Sequence, residues 1–449
     1  MVGGGSAAAF NLVLPAIVSS HLPPVEFAAW SLALQIVAYI NLLSLGLQTA
    51  TARAIAQAEG NDNPDTMQHI VRAANCIATW ACLAASIAAA ALAFCYPLLF
   101  PSIPQHLLGS FEFVVLMIGL STASQLLAIV PMGVFQGLHR NIIYVSVQVV
   151  VRLLVVGSVW AGTRANMGLV GLAALLAAGS ALLWPLMRYV MRTVLRWSVA
   201  NRRMPVDRKQ QRELLDYCAS LSVWSIATLL VNSVGVVMVG HVAFEQAGVY
   251  SLAMSVATVL AGLLGALFSP LVTTAAALHA NTERRNELPR LLMKATLYCA
   301  IVLNCLFTLC LLFVHSGIVA WVGPRYVEPL SPLLLILVGA HALRNLASPY
   351  AMMLLATGLH RRALATAAGE GLCNLVATVV LGSLFQTTGI AAGTLVGAVV
   401  AILSVLLLNA RRTPELTPHP MRFALVSVVL PLAVFAPIDL FIAHWKAIL

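Results

Sequence analysis

Runs of about 20 apolar residues recur along the chain and are separated by short polar stretches. A helix of about 20 residues spans the ~30 Å hydrocarbon core of a bilayer, whereas a barrel strand alternates apolar and polar residues over roughly 10 positions. The runs do not alternate, so the pattern predicts an all-α polytopic membrane protein. We predict twelve core spans, at 4–20, 27–50, 70–94, 111–135, 141–163, 168–190, 217–240, 247–274, 290–313, 329–355, 361–385 and 388–409.

Both ends of the chain carry apolar runs. A further apolar run, 421–443, contains Pro431, Pro437 and Asp439. It either crosses the membrane as a thirteenth span or dips in and lies along the surface. At the other end, the start lacks a basic segment before its apolar run, so we expect a first span there and not a cleaved signal peptide.

Composition narrows the class of protein further. Hydrophobic residues make up 61% of the chain and charged residues only 9%, whereas soluble domains carry about 25% charged residues. The eight cysteines lie mostly inside apolar runs without a CxxC pair, which predicts small packing residues and neither a disulfide nor a metal site. Motifs of hydrolases, metalloproteases and nucleotide-binding enzymes are absent from the sequence, so we expect no enzyme activity and no cofactor.

The positions of Lys and Arg predict the orientation, because cytoplasmic loops hold the excess of these residues. If the N-terminus is cytoplasmic, 20 of the 25 Lys and Arg residues fall on the inner side and 3 on the outer side. The net charge of +10 therefore reflects orientation and does not indicate a nucleic-acid partner. We expect a multi-pass membrane protein, in contact with the lipid bilayer and with its N-terminus in the cytoplasm.

Two short sequences recur in register with the predicted spans. WSLA at 30–33 is echoed by YSLA at 250–253, and GLHR at 137–140 recurs at 358–361. Six spans in each half place both halves in the same orientation, which predicts parallel repeats. We predict an N-terminal lobe at 1–195, a basic cytoplasmic linker at 196–212, a C-terminal lobe at 213–409 and an additional segment at 410–449.

Four ionisable side chains are candidates for a site: Arg53 near the inner end of the second span, Arg152 and Arg344 at the middle of the fifth and tenth spans, and Glu370 in the eleventh. An ionised group at mid-bilayer costs about 2.5–3.5 kcal/mol on insertion scales, so it normally faces a cavity or a partner. Arginine suits a pyrophosphate, since its planar guanidinium donates two parallel hydrogen bonds. Arg53 could instead snorkel to the inner leaflet. Glu370 is either a coupling-ion carboxylate or the counter-ion of an arginine, and the repeat suggests that it faces Arg152.

Several mid-span amides complete the set of candidate site residues, namely Asn41, Gln148, Asn345 and Asn374. They could line a polar lumen that hydrogen-bonds sugar hydroxyls. Hydrogen bonding between helices explains such residues equally well.

The sequence resembles a known family over nearly all of 1–409. The stretches that carry the resemblance are AAWS at 28–31, LGLQTATAR at 45–53, QGLHR at 136–140, AWVGPRY at 320–326 and ATGLHR at 356–361. Together they resemble the polysaccharide-transporter branch of the multidrug/oligosaccharidyl-lipid/polysaccharide (MOP) superfamily, and within it the O-antigen and exopolysaccharide flippases.

The resemblance implies two six-helix lobes around a central cationic cavity. Its implied cargo is a polyprenyl-pyrophosphate-linked oligosaccharide, moved from the inner to the outer leaflet by alternating access. Glycan polymerases or glycosyltransferases of the same pathway would be its partners. Two alternatives stay open: a MATE-like exporter of cationic small molecules, and a membrane enzyme of the same envelope-glycan pathway. An exporter of cations needs carboxylates in its cavity, and the spans hold two deep arginines, Arg152 and Arg344, against one deep Glu370.

Overall fold

The computed structural model describes residues 2–44, 46–60, 64–195, 208–281 and 283–448, and almost all of them are helical. No strand occurs within these ranges. The first half contains α1 (Val2–His21), α2 (Pro24–Ile40), α3 (Leu47–Gly60), α4 (Pro64–Leu99), α5 (Leu108–Leu126), α6 (Ile129–Gly137), α7 (Asn141–Arg164), α8 (Leu169–Ala181) and α9 (Leu183–Leu195).

The second half begins beyond the predicted linker, of which 196–207 lie outside the described residues. It contains α10 (Arg208–Val242), α11 (Ala247–Ala280), α12 (Leu288–Trp321), α13 (Val327–Asn345), α14 (Ser348–Ala356), α15 (Leu364–Leu403), α16 (Ala410–Arg412), α17 (Pro420–Ala424) and α18 (Leu430–Ile448).

These helices form twelve core membrane crossings. Nine described stretches are long and apolar enough to span a bilayer. One of them, Leu364–Arg412, bends where Phe385 and Gln386 leave helical geometry, so it accounts for the two predicted spans 361–385 and 388–409. The remaining two are α1 and the apolar part of α10, Leu229–Val242.

The two lobes repeat one packing pattern. In the first lobe α1 packs on α7, α2 and α4 pack on α5, and α5 packs on α8. In the second lobe α10 packs on α15, α11 and α12 pack on α13, and α13 packs on α15. The architecture is therefore a pair of pseudo-symmetric six-helix lobes.

Small residues allow the two arms of α15 to lie close together after the bend. Gly389, Gly393 and Gly397 are buried on one face at intervals of four residues. A Cβ atom added at Gly393 would lie 2.6 Å from Thr378 Cα, which is inside van der Waals contact. Close approach of helix backbones at such small-residue faces is a common mode of packing in membranes.

The repeated GLHR turns are similar in position but differ in their backbone. Gly358 has φ +74, a left-handed conformation that glycine adopts without steric cost. In the first turn the left-handed residue is His139, at φ 56, and Gly137 instead allows helix α6 to approach α3. An added Cβ at Gly137 would lie 2.5 Å from the carbonyl oxygen of Ala52.

The C-terminal segment is helical and packs on the second lobe. Both α18 and the π-helical turn before it, Leu425–Val429, contact α12. Thr308 of α12 donates a hydrogen bond to Asp439 Oδ1 at 2.6 Å.

Candidate functional site

A cavity of about 520 Å³ lies in the N-terminal lobe, among α1, α2, α5, α7 and α8. Helices α10 and α11 of the other lobe close it on one side through Asn232 and Ser251. Among the described residues that line it, Arg152 is the one charged side chain and none is an Asp or Glu. The other strongly polar residues that line it are Asn11, Gln35, Asn41, Gln125, Gln148 and Asn232.

The sequence of α7 explains why Arg152 faces this cavity. Valines recur every fourth residue from Val147 to Val159 and are buried, so they fix the packed face of the helix. Gln148 and Arg152 are one turn apart beside that face and both line the cavity. Arg152 Nη1 donates a hydrogen bond to Ser6 Oγ of α1 at 2.7 Å.

A second cavity, of about 300 Å³, lies in the C-terminal lobe among α10, α11, α13, α14 and α15. Arg344 of α13 and Glu370 of α15 face each other in it, with Arg344 Nε 2.5 Å from Glu370 Oε1. Both side chains are largely buried, at 15% and 19% exposure. Asn232 lines this cavity as well as the N-lobe cavity, so the two adjoin at α10.

The expectation that Glu370 faces Arg152 was wrong. Glu370 is the counter-ion of Arg344. Helix α15 packs on α13 inside the second lobe, whereas Arg152 lies on α7 of the first lobe. The repeat shows only that two positions are equivalent in the two lobes. Equivalent positions in separate lobes need not be in contact.

The remaining predicted site residues divide between cavity and packing positions. Asn41 and Gln148 line the N-lobe cavity, and Asn345 lines the C-lobe cavity. Asn374 lies outside both linings and donates to the Leu230 carbonyl of α10 at 3.2 Å, so it acts in helix packing.

Arg53 also lies outside both cavity linings. It is exposed on α3, with its guanidinium carbon 4.9 Å from the centre of the Tyr217 ring. The sequence prediction grouped Arg53 with Arg152 and Arg344, and the structure does not bring the three together. Arg152 and Arg344 line separate cavities.

His341 is a cavity residue that the sequence analysis did not identify. It is buried on α13, one turn before Arg344, and lines the C-lobe cavity. Its Nε2 atom, like Nη1 and Nη2 of Arg344, is buried without a hydrogen-bond partner in the described part of the chain. The i,i+3 spacing of a histidine and an arginine within a predicted span was the available signal.

The lobes are joined at the end of the bundle that the sequence predicts to be outside. His241 Nδ1 lies 2.7 Å from the Leu99 carbonyl oxygen, and Trp321 Nε1 donates to Leu12 at 3.0 Å. Arg325 and Tyr326 both donate to the Ser19 carbonyl. The AWVGPRY motif at 320–326 therefore closes this end by bonding to the backbone of α1.

Residues 9–159 match the MatE family model. Among solved structures, the chain is similar to an inward-facing multidrug resistance MATE family transporter of the MOP superfamily, with a TM-score of 0.73 at 15% identity over 93% of this chain and 95% of that one. It is also similar to the lipid II flippase MurJ in an inward closed conformation, with a TM-score of 0.69 at 12% identity over 97% of each chain. The chain therefore shares the fold of these two structures.

The chain was also compared with a transporter in another conformation and with curated proteins. An outward-facing MATE family transporter aligns with a TM-score of 0.56, at 15% identity over 95% of this chain and 94% of that one. A search among curated proteins found no match to the chain.

Proposed function

We propose that this protein is a flippase for a polyprenyl-pyrophosphate-linked oligosaccharide of the O-antigen or exopolysaccharide type. The observation that carries the proposal is the charge of the N-lobe cavity, where Arg152 is accompanied by amides and hydroxyls and by no carboxylate. A lumen of this kind attracts an anionic head group and supplies donors and acceptors for sugar hydroxyls.

The position of Arg152 matches the chemistry of a pyrophosphate. Its guanidinium never deprotonates and presents paired donors to phosphate oxygens. In a partly desolvated cavity this attraction is stronger than in bulk water, because the effective dielectric constant is lower. Neighbouring Gln148 and Asn41, which line the same cavity, could hydrogen-bond the first sugar.

The conformation supports loading from the cytoplasmic side, where lipid-linked repeat units are assembled in such pathways. The outer end is joined by bonds to the α1 backbone from Arg325 and Tyr326. Breaking these bonds would open the cavity outward and release the cargo. Under this proposal the protein acts in the bacterial inner membrane with its N-terminus in the cytoplasm, as a transporter and not an enzyme, beside the polymerase or glycosyltransferases of its pathway.

Export of cationic small molecules is the second candidate, favoured by the match of residues 9–159 to the MatE model. The cavity charges argue against it. Within the described part of the chain, Glu370 is the one carboxylate that lines either cavity, and it is already paired with Arg344. A cation in the N-lobe cavity would meet Arg152 without a compensating acid.

A flipping assay with purified protein in liposomes tests the proposal. The probe is a polyprenyl-pyrophosphate oligosaccharide with a fluorophore on the sugar, and dithionite added outside quenches whatever reaches the outer leaflet. We expect quenching above that of protein-free liposomes, and a loss of this excess for Arg152→Ala. Ethidium uptake into the same liposomes tests the second candidate. Ethidium transport without oligosaccharide flipping would overturn the flippase proposal.

A further inference from the structure

The C-lobe cavity contains three buried polar atoms that lack a hydrogen-bond partner within the described residues: His341 Nε2, Arg344 Nη1 and Arg344 Nη2. All three belong to side chains that line the same cavity of about 300 Å³. Leaving a buried donor unpaired costs about 1–3 kcal/mol, and more for a charged group. Three such atoms around one cavity indicate a site built for an acceptor that the protein itself does not supply.

The geometry of α13 directs these atoms to one ligand. His341 and Arg344 are three residues apart, so they are neighbours on one helix face. Glu370 contacts Arg344 at Nε, and the two Nη atoms along the other edge of the guanidinium are buried without a partner among the described residues. That edge matches the two oxygens of a carboxylate or the oxygens of a phosphate, and Nε2 of His341 can donate a third hydrogen bond in the tautomer that protonates this atom.

We propose that His341 and Arg344 form an oxyanion-binding site in the C-terminal lobe, distinct from the cavity of Arg152. Its ligand is a carboxylate or phosphate group in the cargo. Glu370 holds the guanidinium in place and neutralises it while the site is empty, so an arginine can stay buried between transport events. The surrounding lining of Asn345, Ser348 and Asn409 would solvate the rest of the ligand.

The inference rests on the proposed function for the source of the oxyanion. Asn232 lines both cavities, so one elongated cargo could reach from Arg152 to Arg344. Two sources share the required chemistry: the pyrophosphate of the carrier and an acidic sugar of the oligosaccharide. If the oxyanion is an acidic sugar, the N-lobe cavity holds the pyrophosphate end of the cargo. The C-lobe cavity then selects glycans with a negative charge.

Calorimetric titration of the purified full chain tests the site without relying on transport. An Arg152→Gln background removes the charge of the N-lobe cavity, so the remaining anion binding reports on the C-lobe site. The probes are sodium pyrophosphate and glucuronate, with glucose as the neutral control. We expect saturable binding of at least one anion and none of glucose. Pyrophosphate alone would indicate the carrier head group, and glucuronate would indicate an acidic sugar.

Two variants identify the residues that bind. His341→Leu removes the donor and should weaken anion binding about tenfold, as the loss of one hydrogen bond to a charged group predicts. Arg344→Gln combined with Glu370→Gln should abolish it while keeping the site neutral. If neither anion binds, or if His341→Leu binds it with unchanged affinity, the oxyanion site is refuted. Flipping of the lipid-linked probe in liposomes is measured separately, so failure of this site and failure of the flippase proposal are distinguishable.

Discussion

Replacing Glu370 by glutamine removes the charge opposite Arg344 while keeping the shape of the side chain. Breaking a fully buried ion pair by removing one partner costs about 3–5 kcal/mol, because the remaining charge is left uncompensated in a low dielectric. Arg344 and Glu370 retain 15% and 19% exposure and border a cavity, so water can partly solvate the unpaired arginine. We therefore expect Glu370→Gln to lower the free energy of unfolding by about 2 kcal/mol, below the fully buried range.

A double-mutant cycle separates the interaction from other effects of each substitution. Glu370→Gln, Arg344→Gln and the double variant are compared by SDS titration of unfolding in mixed micelles. Residues in direct ionic contact show coupling of about 0.5–3 kcal/mol, so the double variant should be more stable than the sum of the single losses predicts.

An exposed pair of the same chain is the matched control. Arg284 and Glu287 form a salt bridge at 2.9 Å, but their side chains are 60% and 48% exposed. Glu287→Gln should leave the unfolding curve unchanged, since solvent screens exposed pairs. Additive losses in the cycle of Arg344 and Glu370 would refute our argument that the two charges compensate each other inside the membrane.

Three further predictions concern packing, transport and orientation. Gly393→Ala should destabilise the protein by about 1–3 kcal/mol through overpacking. Gly262→Ala is the control: an added Cβ meets nothing within 4 Å there, so the same unfolding assay should show no loss of stability. Arg152→Lys should slow flipping of the lipid-linked probe partially and Arg152→Ala severely at equal protein abundance; normal rates for both would make this arginine structural. In a cysteine-free background, external thiol reagents should label a cysteine at Ser102 and not one at Glu283; the reverse would invert the topology.

Much of the fold could be predicted because each membrane-spanning helix requires about 20 predominantly apolar residues, a pattern that is visible in the sequence. The bend between the spans 361–385 and 388–409 falls at Phe385 and Gln386, as the polar residues at that point suggested. The deep arginines were also identifiable, since an ionised group in a span needs a cavity or a partner. What the pattern could not assign was the partner of each group.

The sequence by itself determined the helical class, the number of core spans, the repeat and the set of intramembrane charges. The helical class, the span count and the charges follow from local composition, because every span must satisfy its own backbone and exclude unpaired charge from lipid. The repeat follows from matching segments in the two halves. Only the tertiary structure decided that Glu370 pairs with Arg344, that Arg53 lies on an exposed face and that His341 lines a cavity. These outcomes depend on how each helix is rotated against its neighbours. Packing across the whole lobe sets that rotation, and a single span does not encode it.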